Sequence, residues 1–65
     1  MNILVNGVST EVETPHLDQL LIALGYADSV VATAVNSDFV PVSLRSNTLL
    51  NEGDQLEIIS PIQGG

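Results

Sequence analysis

The residues best suited to chemistry in this chain are its last two, Gly64 and Gly65. Glycine has no Cβ, so a terminal pair can extend through a channel too narrow for any other residue and bring a free carboxylate into another protein's active site. Such an ending suits a substrate better than a catalyst. Gly65 is therefore the expected point of covalent modification, and Gly64 and Gln63 are expected to give access to the partner's active site. The alternative is an idle appendage, and the residues before the glycines bear on that choice.

Little else in the chain can act as a reagent. There is no cysteine, which removes disulfides, thiolate zinc sites and cysteine nucleophiles together. His16 has no second histidine to complete a metal site. No serine lies in a Gly-x-Ser-x-Gly elbow, and no lysine stands in as an alternative base. Asp18 and Asp28 bracket an expected helix and read as solvated flanking charges, because a 65-residue chain has no cleft for a sugar between paired carboxylates. Nothing resembles a phosphate-binding loop. The expectation is no catalytic residue, no metal and no cofactor bound by the protein itself.

Charge narrows the partners. Eight acidic residues against one base, Arg45, give a net charge of −7, which disfavours nucleic acid and anionic membrane. The acids are scattered, as on a solvated surface; a basic protein partner would complement them, or they serve solubility alone. With no lysine, the protein cannot build isopeptide-linked chains on itself. No apolar stretch approaches a membrane span and the start lacks a basic signal region, so the expected setting is cytoplasmic and the free state a monomer.

The elements that must hold such a tail are legible in the periodicities. Residues 2–6 form a short apolar run, Asn6-Gly7 is a two-residue hairpin signal, and Val8, Thr10 and Val12 alternate with polar neighbours. Thr14 is expected to cap a helix with Pro15 at its first position, and Leu17, Leu20, Leu21 and Leu24 fall on one helical face before Gly25 stops it. Residues 30–35 are β-branched, Asn36-Ser37-Asp38 turns, and Phe39-Val40 begins a short strand that Pro41 ends or places at an edge. Residues 43–50 suggest a helical turn. Glu52-Gly53-Asp54 then leads into a last strand over 55–60.

The order β-β-α-β-β-β predicts an α+β, β-grasp (ubiquitin-like) fold: a mixed sheet of four to five strands with one main helix packed across it. Residues 1–60 make the domain and 61–65 a flexible tail. The first and last strands are expected side by side, central and parallel. Pro61, unable to donate to a ladder, would start the extended tail.

With these elements in place the chain resembles a known family. The stretches Val31-Ala32-Thr33-Ala34-Val35-Asn36, Phe39-Val40-Pro41 and Glu52-Gly53-Asp54-Gln55-Leu56-Glu57-Ile58, followed by Pro61 and Gly64-Gly65, are similar to the ThiS family, the sulfur carriers of thiamine biosynthesis. The likeness covers essentially the whole chain. Many members carry an arginine directly after the Val-Pro pair and an aromatic or similar residue a few positions on; here Val42 and Arg45 stand in those places.

The resemblance implies a protein-bound sulfur donor. A ubiquitin-activating-like adenylyltransferase of the ThiF type would use ATP, with Mg, to adenylate the Gly65 carboxylate. A sulfur donor such as a cysteine desulfurase would then replace AMP to give a thiocarboxylate, which a thiazole synthase of the ThiG type would consume. Adenylation is needed because a carboxylate resists nucleophiles, whereas a mixed anhydride carries a good leaving group. The small subunit of molybdopterin synthase shares the same ending and fold. A conjugating modifier, or a plain interaction domain with idle glycines, would share the fold too.

Handle recognition should use surfaces near the tail. One of Ile58 and Ile59, with Ile59 preferred, is expected to be exposed and to join Val40, Pro41, Val42, Pro61 and Ile62 in an apolar docking patch. Asp54 and Glu57 would meet basic residues of the partners. All of these also read as ordinary core, edge and turn positions.

Overall fold

The computed structural model describes residues 1–60; the expectations for the tail, residues 61–65, lie outside the described residues. Five strands, one α-helix and one 3₁₀ helix follow in the order β1 Asn2–Val5, β2 Val8–Glu11, α1 Leu17–Ala23, β3 Ala32–Val35, β4 Asp38–Val40, the 3₁₀ helix Val42–Asn47 and β5 Gln55–Ile59. The sheet order is β2-β1-β5-β3-β4. β1 and β5 are parallel neighbours and every other pairing is antiparallel, so the sheet is mixed and has the β-grasp arrangement.

Turn chemistry explains the hairpins. Asn6 and Gly7 take φ +50° and +83°, the left-handed pair that matches the twist of a tight hairpin. Asn36 and Ser37 do the same at +51° and +73°, with asparagine again tolerating a conformation most residues avoid. At the end of α1, Gly25 at φ +96° allows two capping bonds: the Gly25 N–H donates to the Ile22 carbonyl at 3.1 Å and the Tyr26 N–H to the Leu21 carbonyl at 2.8 Å.

The helix starts later than the sequence suggests. Its N-cap is His16, whose side chain makes no capping bond, where Thr14 as cap and Pro15 as first helical residue were expected. Long-range pairing draws this segment away from the helix. His16 forms an isolated antiparallel bridge with Leu49, the Leu50 N–H donates to the Pro15 carbonyl at 2.8 Å, and the Leu17 N–H donates to the Thr48 carbonyl at 3.0 Å. The Thr14 hydroxyl instead accepts from the His16 N–H within its own turn. β3 likewise starts at Ala32 and leaves Val30 exposed, and the 3₁₀ helix begins at Val42, directly behind Pro41.

The core lies between α1 and one face of the sheet. Leu17, Leu20 and Leu21 from α1 cluster with Ile3, Val12, Val31, Val40, Leu50, Leu56 and Ile58. Thr33 is a polar member of this interior, 1% exposed, and its hydroxyl is fully used: it donates to the Val40 carbonyl at 2.8 Å and accepts from Arg45 Nε at 3.2 Å. Arg45 Nη2 also donates to the Val31 carbonyl at 2.6 Å. The chain's single base is thus committed to holding β3 against the loop that follows β4.

Candidate partner-docking site

β5 presents two faces because successive side chains of a strand alternate. Leu56 and Ile58 point into the core, whereas Gln55, Glu57 and Ile59 point out; Ile58 is 6% exposed and Ile59 59%. Pairing register extends that outer face across the sheet, since directly opposed residues share a side. Ala32 lies opposite Ile59, and Ala34 lies opposite both Glu57 and Phe39. Phe39 is 69% exposed. Ile59 and Phe39 therefore stand as two large apolar groups separated by the small Ala32 and Ala34, with the Glu57 carboxylate among them. Shallow floor, apolar pillars and a neighbouring charge are features of a protein interface core with its polar rim.

Among the described residues, the docking set expected from the sequence does not come together as one patch. Val40 is a correction: it is 8% exposed and belongs to the core, because it sits opposite the inward-facing Thr33. Val42 is 71% exposed but lies elsewhere, lining an open groove of about 270 Å³ with Asp18, Ile22, Tyr26 and Arg45 between α1 and the 3₁₀ helix. Pro41 is half-buried at the junction. Asp54 is engaged within the fold: one carboxylate oxygen accepts from the Asn51 N–H of its own turn at 2.8 Å, and the other from Asn36 Nδ2 of the β3–β4 turn at 3.1 Å. Glu57 and Ile59 remain on the outer face. Pro61, Ile62, Gln63, Gly64 and Gly65 fall outside the described residues.

Sequence reasoning missed Phe39, Ala32 and Ala34. A signal was present: Phe39 precedes Val40, so assigning either one to the core puts the other outside. Arg45 stands out in the sequence as the single base and as a departure from the family pattern, and its hydrogen bonds place it inside the fold's own network. Among the described residues, no group of three His, Cys, Asp or Glu side chains is placed to hold a metal ion, and no helix is long and apolar enough to cross a membrane.

Known proteins share this architecture. A family model described as the ThiS family matches residues 3–65. Among solved structures, the chain is similar to the crystal structure of a thiamine biosynthesis protein (ThiS) from Geobacter metallireducens, with a TM-score of 0.85, 29% identity and all of both chains covered. It is also similar to a solution structure of a thiamine biosynthesis protein from the same organism, with a TM-score of 0.81, 29% identity, and coverage of all of this chain and 88% of that one. None of the curated proteins matches the chain.

Proposed function

The chain belongs to the ThiS family, and from that premise we propose that it is a sulfur carrier of thiamine biosynthesis, a co-substrate acted on by partner enzymes. The observation that carries this reading is the family match itself, which runs to residue 65 and takes in Gly64 and Gly65. In the proposed cycle a Gly65 carboxylate oxygen attacks the α-phosphorus of ATP on a ThiF-type adenylyltransferase, pyrophosphate leaves, and an acyl adenylate forms. Sulfide, or the persulfide of a donor such as a cysteine desulfurase, then attacks the acyl carbon and AMP leaves. From a persulfide the product is an acyl disulfide, and a thiol attacks the donor's sulfur, forming a disulfide with it and releasing the thiocarboxylate. The thiocarboxylate so formed is presented to a ThiG-type thiazole synthase. A folded handle helps here because docking turns an encounter in solution into a positioned one.

The outer sheet face is the proposed handle. Ile59 is two residues from Pro61, so a partner seated on Ile59, Phe39, Ala32 and Ala34 lies beside the start of the tail. The acid-rich surface favours partners with basic rims.

Intact mass measures the proposal. The native protein is incubated with its cognate adenylating enzyme, ATP and a sulfur donor, and a mass shift equal to one oxygen replaced by sulfur is expected, lost on deletion of Gly65. Absence of both adenylate and thiocarboxylate with an enzyme active on other carriers sinks the reading. Adducts to lysines of other proteins would move the chain to the conjugating modifiers instead.

A further inference from the structure

We propose that Asn6 is a positioning residue for the C-terminal segment, through a side-chain amide that extends the β1–β5 ladder to the end of β5. This rests on the carrier reading above. The Asn6 main-chain N–H donates to the Leu56 carbonyl at 2.9 Å, a regular step of the parallel ladder. In a continuing ladder the next two bonds would join the Ile58 N–H and carbonyl to main-chain groups of the neighbouring strand. At Asn6 the chain turns away into β2 with φ +50°. The side-chain carboxamide, which has the same donor and acceptor as a peptide unit, takes over both bonds. The Ile58 N–H donates to Asn6 Oδ1 at 2.8 Å, and Asn6 Nδ2 donates to the Ile58 carbonyl at 3.1 Å.

The opposite end of β5 carries a related device. Asn36, also in a left-handed turn at φ +51°, donates its N–H to the Gln55 carbonyl at 2.8 Å and accepts the Gln55 N–H on Oδ1 at 3.0 Å. One asparagine thus pins the entry of β5 on the β3 side, and the other pins its exit on the β1 side. Only the exit clamp bears on where the tail departs. Ile58 lies three residues before Pro61, and without Asn6 the last residues of β5 are held by β3 alone. Asn6 borders the docking residue Glu57 without being one of the apolar docking groups, and Ile59 keeps its pairing with Ala32, so losing the clamp is expected to alter how the chain leaves β5 more than the docking contacts.

The two clamps provide matched variants. Asn6→Gly and Asn36→Gly both keep a residue tolerant of positive φ and remove the carboxamide bonds, and the entropy cost of the added glycine is common to the two. Each is assayed for adenylation by the cognate adenylating enzyme through pyrophosphate release, with amide exchange at Ile58 followed in the free protein. For Asn6→Gly we expect Ile58 exchange to speed up about tenfold or more and kcat to fall roughly 10- to 100-fold with KM within about twofold, the range a small misplacement of a reacting group produces. Asn36→Gly should leave kcat within about twofold at a similar loss of urea midpoint. Asn6→Asp retains the acceptor for the Ile58 N–H and should fall between wild type and Asn6→Gly; it decides the matter if Asn6→Gly does not fold. Equal kcat losses in the two glycine variants, or unchanged kcat in Asn6→Gly, overturn the positioning role while the carrier reading stands. A wild-type chain that is not adenylated overturns the carrier reading first, and the positioning role with it.

Discussion

The two faces of the sheet are made from the same strands and serve opposite ends. On the inner face Ile3, Thr33, Val40, Leu56 and Ile58 lose nearly all contact with water, and even the one hydroxyl there is satisfied twice over. On the outer face Phe39 and Ile59 keep most of theirs, although each is the immediate neighbour of a core residue. A small domain has little apolar material to spare, since about 40% of the surface exposed by its unfolded chain stays exposed in the fold. Leaving a phenylalanine and an isoleucine in solvent on one face is then a cost, and the carrier proposal assigns the pair to a partner surface.

Mutations on the two faces should therefore separate stability from binding. The largest loss is expected on the inner face: Leu56→Ala leaves a cavity under α1 and should lower the unfolding free energy by roughly 2–5 kcal/mol, read from the urea midpoint. For a chain of this length that is a large part of the total. Next comes Arg45→Met, which keeps the apolar stem but abandons the Thr33 hydroxyl and the Val31 carbonyl. A loss of about 1–2 kcal/mol is expected, and Arg45→Lys should not restore it, because an ammonium lacks the planar fork that serves both acceptors.

On the outer face, Ile59→Thr and Phe39→Thr keep β-branching or strand propensity and should shift stability by no more than about 0.5 kcal/mol. Binding to the adenylating enzyme, measured by calorimetry, should weaken about tenfold for each, equivalent to about 1.4 kcal/mol. If either destabilises the protein as Leu56→Ala does, the division between the faces is wrong. If neither weakens binding, the outer face is not the handle. The smallest effect belongs to an edge of the sheet, where the Met1 amine pairs with Glu11 at 3.1 Å in an exposed setting. Glu11→Gln should cost under about 1 kcal/mol, and the difference should vanish in 1 M salt.

Much of the fold was legible in local chemistry. Asn6-Gly7, Gly25, Pro41 and Gly53 punctuate the chain where the structure turns, and the Leu17, Leu20, Leu21 spacing marks the buried stripe of α1. The helix start was misread because Thr14-Pro15 carries a strong local signal, while pairing with residues 48–50 competes for the same backbone groups. The docking site was less legible. Val40, Val42 and Ile59 look alike as β-branched residues, yet they occupy the core, a groove beside the helix and the outer face.

What the sequence determined by itself was the list of elements and the family likeness, because turn residues, periodicity and composition act over a few positions. Tertiary structure alone decided which of Ile58 and Ile59 is buried, where Arg45 spends its hydrogen bonds and what Asn6 does beyond its turn. Each of those depends on a partner far away in the chain: Asn6 meets Ile58 across 52 positions, and no local rule reaches that far.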